Sequence, residues 1–275
     1  MTAHIVVVGG GISGLAACWR LERSCSSLAV TLVEAKERLG GWIRTERWNG
    51  VLIEHGPDSW VASKSVATEL ACALGLETEL IGLRTERAGT GIVRDGRLFP
   101  LPEGLSLLVP TRLGPIVRSP LLSIQGKIRV LGEFFLPGRC DEQDESVAAF
   151  VRRRFGREFY ERLAEPLLAG IYAGDAERLS LLATYPQFRV LECEAGSVLR
   201  AVRRRGTAGA RTPAPVASPF LTLRDGMQRL VDCLAGTLQR TVWRLGVRAV
   251  ALEPGQPGGF RITLSDGTRL EADGV

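Results

Sequence analysis

The stretch IVVVGGGISGLAA, from Ile5 to Ala17, constrains the fold of this chain more than any other. Ile5 to Gly9 reads as a buried strand. Gly9, Gly11 and Gly14 then follow at the spacing G-x-G-x-x-G, and apolar residues return at helical spacing at Ile12, Leu15, Ala16 and Trp19. Strand, glycine turn and helix in that order open a βαβ unit built around a pyrophosphate. Gly9 allows the tight turn, Gly11 lets the phosphates approach the backbone, and Gly14 lets helix and strand pack closely. Gly10, Ile12 and Ser13 complete the turn, and the helix N-terminus faces the anion. The next strand, Ala29 to Val33, ends at Glu34, twenty positions after Gly14. A carboxylate there can accept hydrogen bonds from a ribose hydroxyl pair. An adenine dinucleotide on a Rossmann-like α/β core is therefore expected.

The loop that follows separates nicotinamide from flavin. From Glu34 through Ala35, Lys36 and Glu37 it reaches Arg38, then Leu39, Gly40, Gly41 and Trp42. A cation four residues past the ribose carboxylate can neutralise pyrophosphate charge. The glycine pair lets backbone N–H groups approach the inner phosphate or the flavin ring. A nicotinamide dehydrogenase has no need of this second glycine platform, so the expected cofactor is FAD.

With 275 residues, 45% of them hydrophobic, the chain can bury one large or two modest cores. Its basic residues are almost all arginine, with lysine only at Lys36, Lys64 and Lys127, and the net charge of +5 is mild. The runs Arg152-Arg153-Arg154 and Arg203-Arg204-Arg205 come without a nucleic-acid motif, so solvated helix faces and no nucleic-acid partner are expected. The six cysteines contain no C-x-x-C pair, and the only histidines are His4 and His55, so no metal is expected. Cys18, Cys72 and Cys233 lie on apolar helical faces and are expected to be buried, which fits a reducing compartment. The N-terminus enters the first strand without a basic leader, and no apolar run is long enough to span a bilayer, so a cytoplasmic location is expected.

Along the chain, Trp48-Asn49-Gly50 reads as a turn into a strand, Val51 to Glu54. A helix from Lys64 to Leu74 is capped by Gly75, and Gly91 to Phe99 forms a hairpin turning at Asp95-Gly96. Gly104 to Gly132 holds no acidic residue but carries Arg112, Arg118, Lys127 and Arg129. Helices are expected from Asp144 to about Phe155, from Glu158 to Leu168 with an end near Gly170, and across LLATYPQFRVLECE behind a Ser180 cap. Thr207 to Pro219 reads as a linker. A strand, a turn and a helix follow, and then strands at Val247 to Leu252, Gly259 to Leu264 and Arg269 to Ala272. The chain ends at EADGV in what reads as a strand, so a longer parent chain is expected. The organisation predicted is an FAD-binding domain in two parts, 1–88 and 217–275, with a mostly helical, substrate- or membrane-facing insertion at 89–216.

Several blocks carry a family resemblance: GGGISGLAA, EAKERLGGWIRT, IEHGPDSW, DGRLFPLPEGL, EPLLAGIYAGDAERLSLLATYP and RDGMQRLVDCLA. In this order the chain resembles the flavin amine-oxidase superfamily and, within it, the oxygen-dependent protoporphyrinogen oxidases. The glycine turn is shared with many flavoproteins, whereas AGIYAGD and LSLLATYP are specific to this branch. The resemblance covers the whole chain, but such enzymes are nearly twice as long. It implies FAD contacts at Gly9 to Gly14, Glu34, Ala35, Arg38, Gly41, Trp42, Gly56, Pro57, Asp58 and Ser59, and a main-chain contact with the adenine near Ala249. It also implies that Asp58 faces the substrate, where its charge would repel a propionate. A basic anchor falls at Arg87, and Gly170 lies beside the reacting carbon in a slot too narrow for a side chain, a position that also suits a helix C-cap.

The chemistry implied is oxidation of protoporphyrinogen IX to protoporphyrin IX. Hydride leaves a methylene bridge for the flavin, three times over with tautomerisation, and O₂ is the final acceptor. No catalytic side chain beyond the flavin is implied, in keeping with the lack of a visible nucleophile or dyad. The resemblance admits a homodimer and peripheral contact with the inner face of the membrane, for which the acid-free segment is one candidate surface. Coproporphyrinogen III as substrate, another amine or carotenoid oxidase, and a chain that binds FAD without turnover are the alternatives left open.

Overall fold

A computed structural model describes residues 2–84, 89–106, 108–141, 143–206, 218–255 and 258–275. Strand β1 (His4–Val8) runs parallel to β2 (Ala29–Glu34), with Val6 opposite Thr31, and helix α1 (Ile12–Ser24) makes the crossover. β2 pairs in parallel with a strand at Thr241–Leu245. On the far side of β1, Gly274 bridges Ile5, and the Val6 N–H donates to the Gly274 carbonyl at 3.0 Å. The parallel order is thus residue 274, β1, β2, 241–245. β2 sits inside, so Val30, Thr31, Leu32 and Val33 are all buried, the pattern of a strand covered on both faces.

Two layers do the covering. On one face α1 and the helix Gln228–Gly236 bury Leu15, Cys18, Val231 and Leu234 against Val30 and Leu32. On the other, an antiparallel meander of Ala249–Pro254, Phe260–Leu264 and Arg269–Ala272 packs Ile262 and Leu264 against Val6 and Val33. The sequence expectations contain no strand at Thr241–Leu245; they place one at Val247 to Leu252, where the meander begins at Ala249. A small antiparallel sheet centred on Phe220–Leu223 pairs with Trp60–Val61 and Leu80–Gly82.

The chain divides into two compact units, Met1–Thr85 with Thr212–Val275, and Glu86–Arg211. The second unit contains the hairpin Gly91–Arg94/Arg97–Pro100 and a set of short helices around a core that includes Phe150, Phe155, Phe159, Leu163 and Leu168. Helix Val147–Phe155 starts where Ser146 Oγ accepts the Ala149 N–H at 3.1 Å. Helical backbone continues from Arg157 through a π-turn at Tyr160–Ala164 and on to Tyr172, so the expected end near Gly170 is corrected. Ala173, at φ +48°, is the cap. The single helix expected behind Ser180 is two, Leu181–Thr184 and Pro186–Ala195. Pro186 pushes Tyr185 out of the helical region, to φ −137°.

The arginine run also departs from expectation. Arg152 is partly exposed on a Glu177 ion pair, but Arg153 is half-buried and Arg154 fully buried. Arg154 pairs with Glu133 and Glu192, both fully buried, and donates to the Pro137 carbonyl at 2.8 Å. Glu133 also accepts the Ser197 hydroxyl and the backbone N–H of Val198 and Leu199, which caps the helix Val198–Gly206. Arg129, in the acid-free segment, donates to the carbonyls of Arg153 and Arg154 and so closes the preceding helix. Of the three cysteines expected to be buried, Cys18 is, Cys233 is half-buried and Cys72 is exposed.

Candidate dinucleotide-binding site

The site grows from the end of β1. Gly9 has φ +106°, which only glycine adopts readily, and its N–H donates to the Val33 carbonyl at 2.8 Å. A Cβ on Gly14 would stand 1.9 Å from the Gly9 carbonyl oxygen, so the turn and α1 can lie this close only without a side chain. At Gly11 the situation is reversed. The nearest heavy atom to a Cβ there is the Gly41 Cα at 3.9 Å, and the space in front of the turn is open. Gly11 is the N-cap of α1, and no side chain caps the helix. The first intrahelical bond runs from Leu15 N–H to the Gly11 carbonyl at 3.0 Å. The N–H groups of Ile12, Ser13 and Gly14 therefore have no intrahelical partner, and they lie at the positive end of the helix dipole, where an anion is favoured.

The second glycine platform lies against the first. Gly40 N–H donates to the Gly10 carbonyl at 2.8 Å, and Gly11 and Gly40 form a parallel bridge. Arg38 ties this loop shut, donating to the carbonyls of Leu39, Ile43 and Gly41 at 3.2, 3.1 and 2.7 Å. The expected cation is in place, but its fork is spent on the loop rather than extended towards a ligand. Gly40, missed as a site residue, was visible in the sequence as half of the glycine pair.

Glu34 stands at the tip of β2. One carboxylate oxygen accepts the Gly10 N–H at 2.6 Å and the other the Lys36 N–H at 2.8 Å, which fixes the carboxylate at the mouth of the turn. Each oxygen retains a second lone pair for a hydroxyl donor. Ala35 is exposed beside it. The Glu34 carbonyl accepts the Val247 N–H at 3.1 Å, which draws the start of the meander to the same place. There Ala249 lines an apolar cleft of about 280 Å³ with Val8, Val250, Leu252 and Val275. The chain doubles one residue at Ala249/Ala251, a bulge that turns the strand locally.

Trp42 is 86% exposed, and a Cβ on Gly56 would stand 2.0 Å from the Trp42 carbonyl oxygen. Gly56, Pro57, Asp58 and Ser59 therefore follow directly on the Trp42 backbone, and Asp58 accepts the Ser59 hydroxyl at 2.7 Å. The preceding strand Val51–Glu54 is anchored by a contact absent from the sequence expectations. Glu54 accepts the Thr45 hydroxyl and the Met227 N–H, both at 2.8 Å, while Thr45 accepts the Gln228 N–H at 2.9 Å. Together they cap the helix Gln228–Gly236. The first unit thus gathers Gly9 to Gly14, Glu34, Ala35, Arg38, Gly41, Trp42, Gly56 to Ser59 and Ala249 around one strand end. Gly170 belongs to the second unit, where it is exposed and no described atom lies within 4 Å of a Cβ on it. Arg87 lies outside the described residues.

A family model for flavin containing amine oxidoreductases matches residues 12–275. The chain belongs to that family. Members carry flavin, and the cradle fits FAD: an open turn at Gly11, uncapped N–H groups on α1 and a carboxylate fixed at the mouth of the turn. Coproporphyrinogen III oxidase of Bacillus subtilis is 37% identical over 278 residues, 99% of this chain and 58% of that one. Protoporphyrinogen oxidase 1 of Arabidopsis thaliana chloroplasts is 33% identical, covering 96% of this chain and 49% of its own length. A crystal structure of an Exiguobacterium protein assigned as a protoporphyrinogen oxidase superposes with a TM-score of 0.84 at 37% identity, over 99% of this chain and 58% of that one. The chain therefore spans about half to three-fifths of the length of these relatives.

Proposed function

We propose that this chain serves an FAD-dependent oxidation of a haem-pathway porphyrinogen, with O₂ as acceptor. The observation that carries the reading is the agreement of relatives over nearly the whole chain: those reported above are named for porphyrinogen oxidation. Protoporphyrinogen IX and coproporphyrinogen III are the two candidate substrates. Identity weighs the two equally, since the Bacillus enzyme and the Exiguobacterium protein both stand at 37% over 99% of this chain.

Bound FAD supplies the hydride acceptor; the chain's own residues hold and orient it. In this reading the free N–H groups of α1 meet the pyrophosphate, Glu34 accepts the ribose hydroxyls, and the Gly40–Gly41 platform faces the inner phosphate or the ring. Ala249 offers its main chain to the adenine. Asp58 and Gly170 are the proposed substrate-side positions. Peripheral membrane contact is assigned to the face bearing Ile124, Ile128 and Phe135, which are 76%, 64% and 89% exposed, flanked by Arg118 and Lys127. Among the described residues no helix is long and apolar enough to cross a membrane.

The test is porphyrin fluorescence under air from each porphyrinogen, with the chain alone and with the chain extended by the residues its relatives carry beyond it. Faster appearance of one porphyrin assigns its porphyrinogen as the substrate. If the FAD-loaded extended chain yields neither porphyrin but releases peroxide with an amine, the reading is wrong.

A further inference from the structure

Cys140 and Cys193 are 53 residues apart in sequence and carry no motif, yet the second unit brings them together. The loop before Cys140 lies against the end of the helix Pro186–Ala195. A Cβ on Gly138 would come within 2.9 Å of the Gly196 Cα and 3.0 Å of the Glu192 carbonyl. Arg139 N–H donates to the Glu192 carboxylate at 2.9 Å, and the Cys193 thiol donates to the Arg139 carbonyl at 3.5 Å. Each cysteine is thus the residue after one of a hydrogen-bonded pair, and both are exposed. Neither takes part in the flavin cradle, and both lie outside the first unit.

We propose that Cys140 and Cys193 form a reversible disulfide under hydroperoxides, a modification site that staples the 137–140 loop to the helix Pro186–Ala195. The Cys193 thiol is pushed up to about 11, chiefly by the hydrogen bond it donates to the Cys140 side chain and next by burial, so Cys193 stays protonated at neutral pH. With Cys140 as the first sulfur, that sulfur attacks one peroxide oxygen, the O–O bond breaks, and a sulfenic acid and one water result. The Cys193 sulfur then displaces the sulfenic oxygen as a second water, and the S–S bond forms. Two electrons pass from the sulfur pair to the peroxide, and the two thiol protons end in the two waters. A disulfide formed this way in a reducing compartment is transient rather than structural. The inference is independent of the porphyrinogen assignment, since added hydrogen peroxide supplies the oxidant.

The experiment uses the reduced, folded chain. After exposure to hydrogen peroxide, and in parallel to diamide, free thiols are alkylated and the chain is digested without reductant. The expected product is one cross-linked peptide pair joining Cys140 to Cys193, absent after dithiothreitol, with alkylatable thiols falling from the six in the sequence by two. Cys140→Ser and Cys193→Ser each abolish the pair. Each single variant leaves one thiol of the pair, whose sulfenic acid dimedone traps. The melting midpoint of the wild-type chain rises on oxidation and returns with dithiothreitol, and it does not move in Cys193→Ser. A chain in which both thiols remain alkylatable after both oxidants, or in which another pair is linked, overturns the proposal.

Discussion

Two glycines of one turn carry opposite burdens, and a single added methyl group tells them apart. At Gly14 a Cβ collides with the Gly9 carbonyl at 1.9 Å, so Gly14→Ala forces strand and helix apart. It should cost about 1–3 kcal/mol of stability, and flavin binding with it. At Gly11 the methyl group meets only open space, so Gly11→Ala should leave the melting temperature of the FAD-free chain unchanged while blocking the approach of the pyrophosphate. Thermal melts paired with flavin titrations check both, and a Gly11→Ala chain that binds FAD normally would show that the cradle faces another way. Glu34→Gln keeps the shape but not the charge. The loss of charge-assisted hydrogen bonds, about 1.5–3 kcal/mol, should weaken FAD by roughly ten- to a hundredfold with little change in the fold. These residues were legible in the sequence because a phosphate turn needs particular residue types at fixed spacings. Thr45 and Glu54 were not, because a cap supplied from a distant hairpin depends on tertiary pairing that spacing does not encode. Arg38 was legible as a cation, but not as the clasp of its own loop.

At the scale of elements, the helix Val198–Gly206 begins on two caps: the adjacent Ser197, whose Oγ accepts the Arg200 N–H at 3.1 Å, and the distant buried carboxylate of Glu133. Glu133→Ala removes the second cap and leaves Arg154 with Glu192 as its one remaining ion-pair partner among the described residues, which should cost about 3–5 kcal/mol. Denaturant unfolding monitored in the second unit would read this loss. The same cluster makes that unit acid-sensitive. Burial pushes the Glu192 carboxyl up, but the hydrogen bond and charge of Arg153, with the Arg139 N–H and Arg154, outweigh burial and hold it below its ordinary 4.5. A folded value below the unfolded one means that the stabilisation is fully present above about 4.5 and is lost as pH falls through the folded value. Melting temperature should therefore fall as pH drops below 4.5, and Glu192→Gln, destabilised at neutral pH, should show a shallower fall. Sequence pattern located most helices here but misread the arginines, because a charged triplet looks the same whether it faces water or buried glutamates far along the chain. It also passed over Thr241–Leu245, whose residues alternate only weakly and whose partner β2 lies some two hundred residues earlier. The break at Tyr185 was signalled by Pro186, which an otherwise continuous apolar pattern hid.

For the molecule as a whole, the decisive fact is where the cores lie. Every described residue assigned to the FAD cradle is in the unit Met1–Thr85 with Thr212–Val275, which among the described residues has buried clusters of its own. The core of Glu86–Arg211 is likewise its own. A ligand that binds only the folded first unit stabilises that unit by mass action, by about 2.7 kcal/mol at a hundredfold excess over its Kd. Calorimetry of the chain with increasing FAD should therefore show one transition moving upward while the transition of the helical unit stays near its FAD-free position. Hydrogen exchange identifies which is which, through amides of β1, β2 and Thr241–Leu245 on one side and of Val147–Phe155 on the other. If no transition moves with FAD, the cradle is not a flavin site, whatever the family to which the chain belongs. If both move together, the two cores unfold as one cooperative unit.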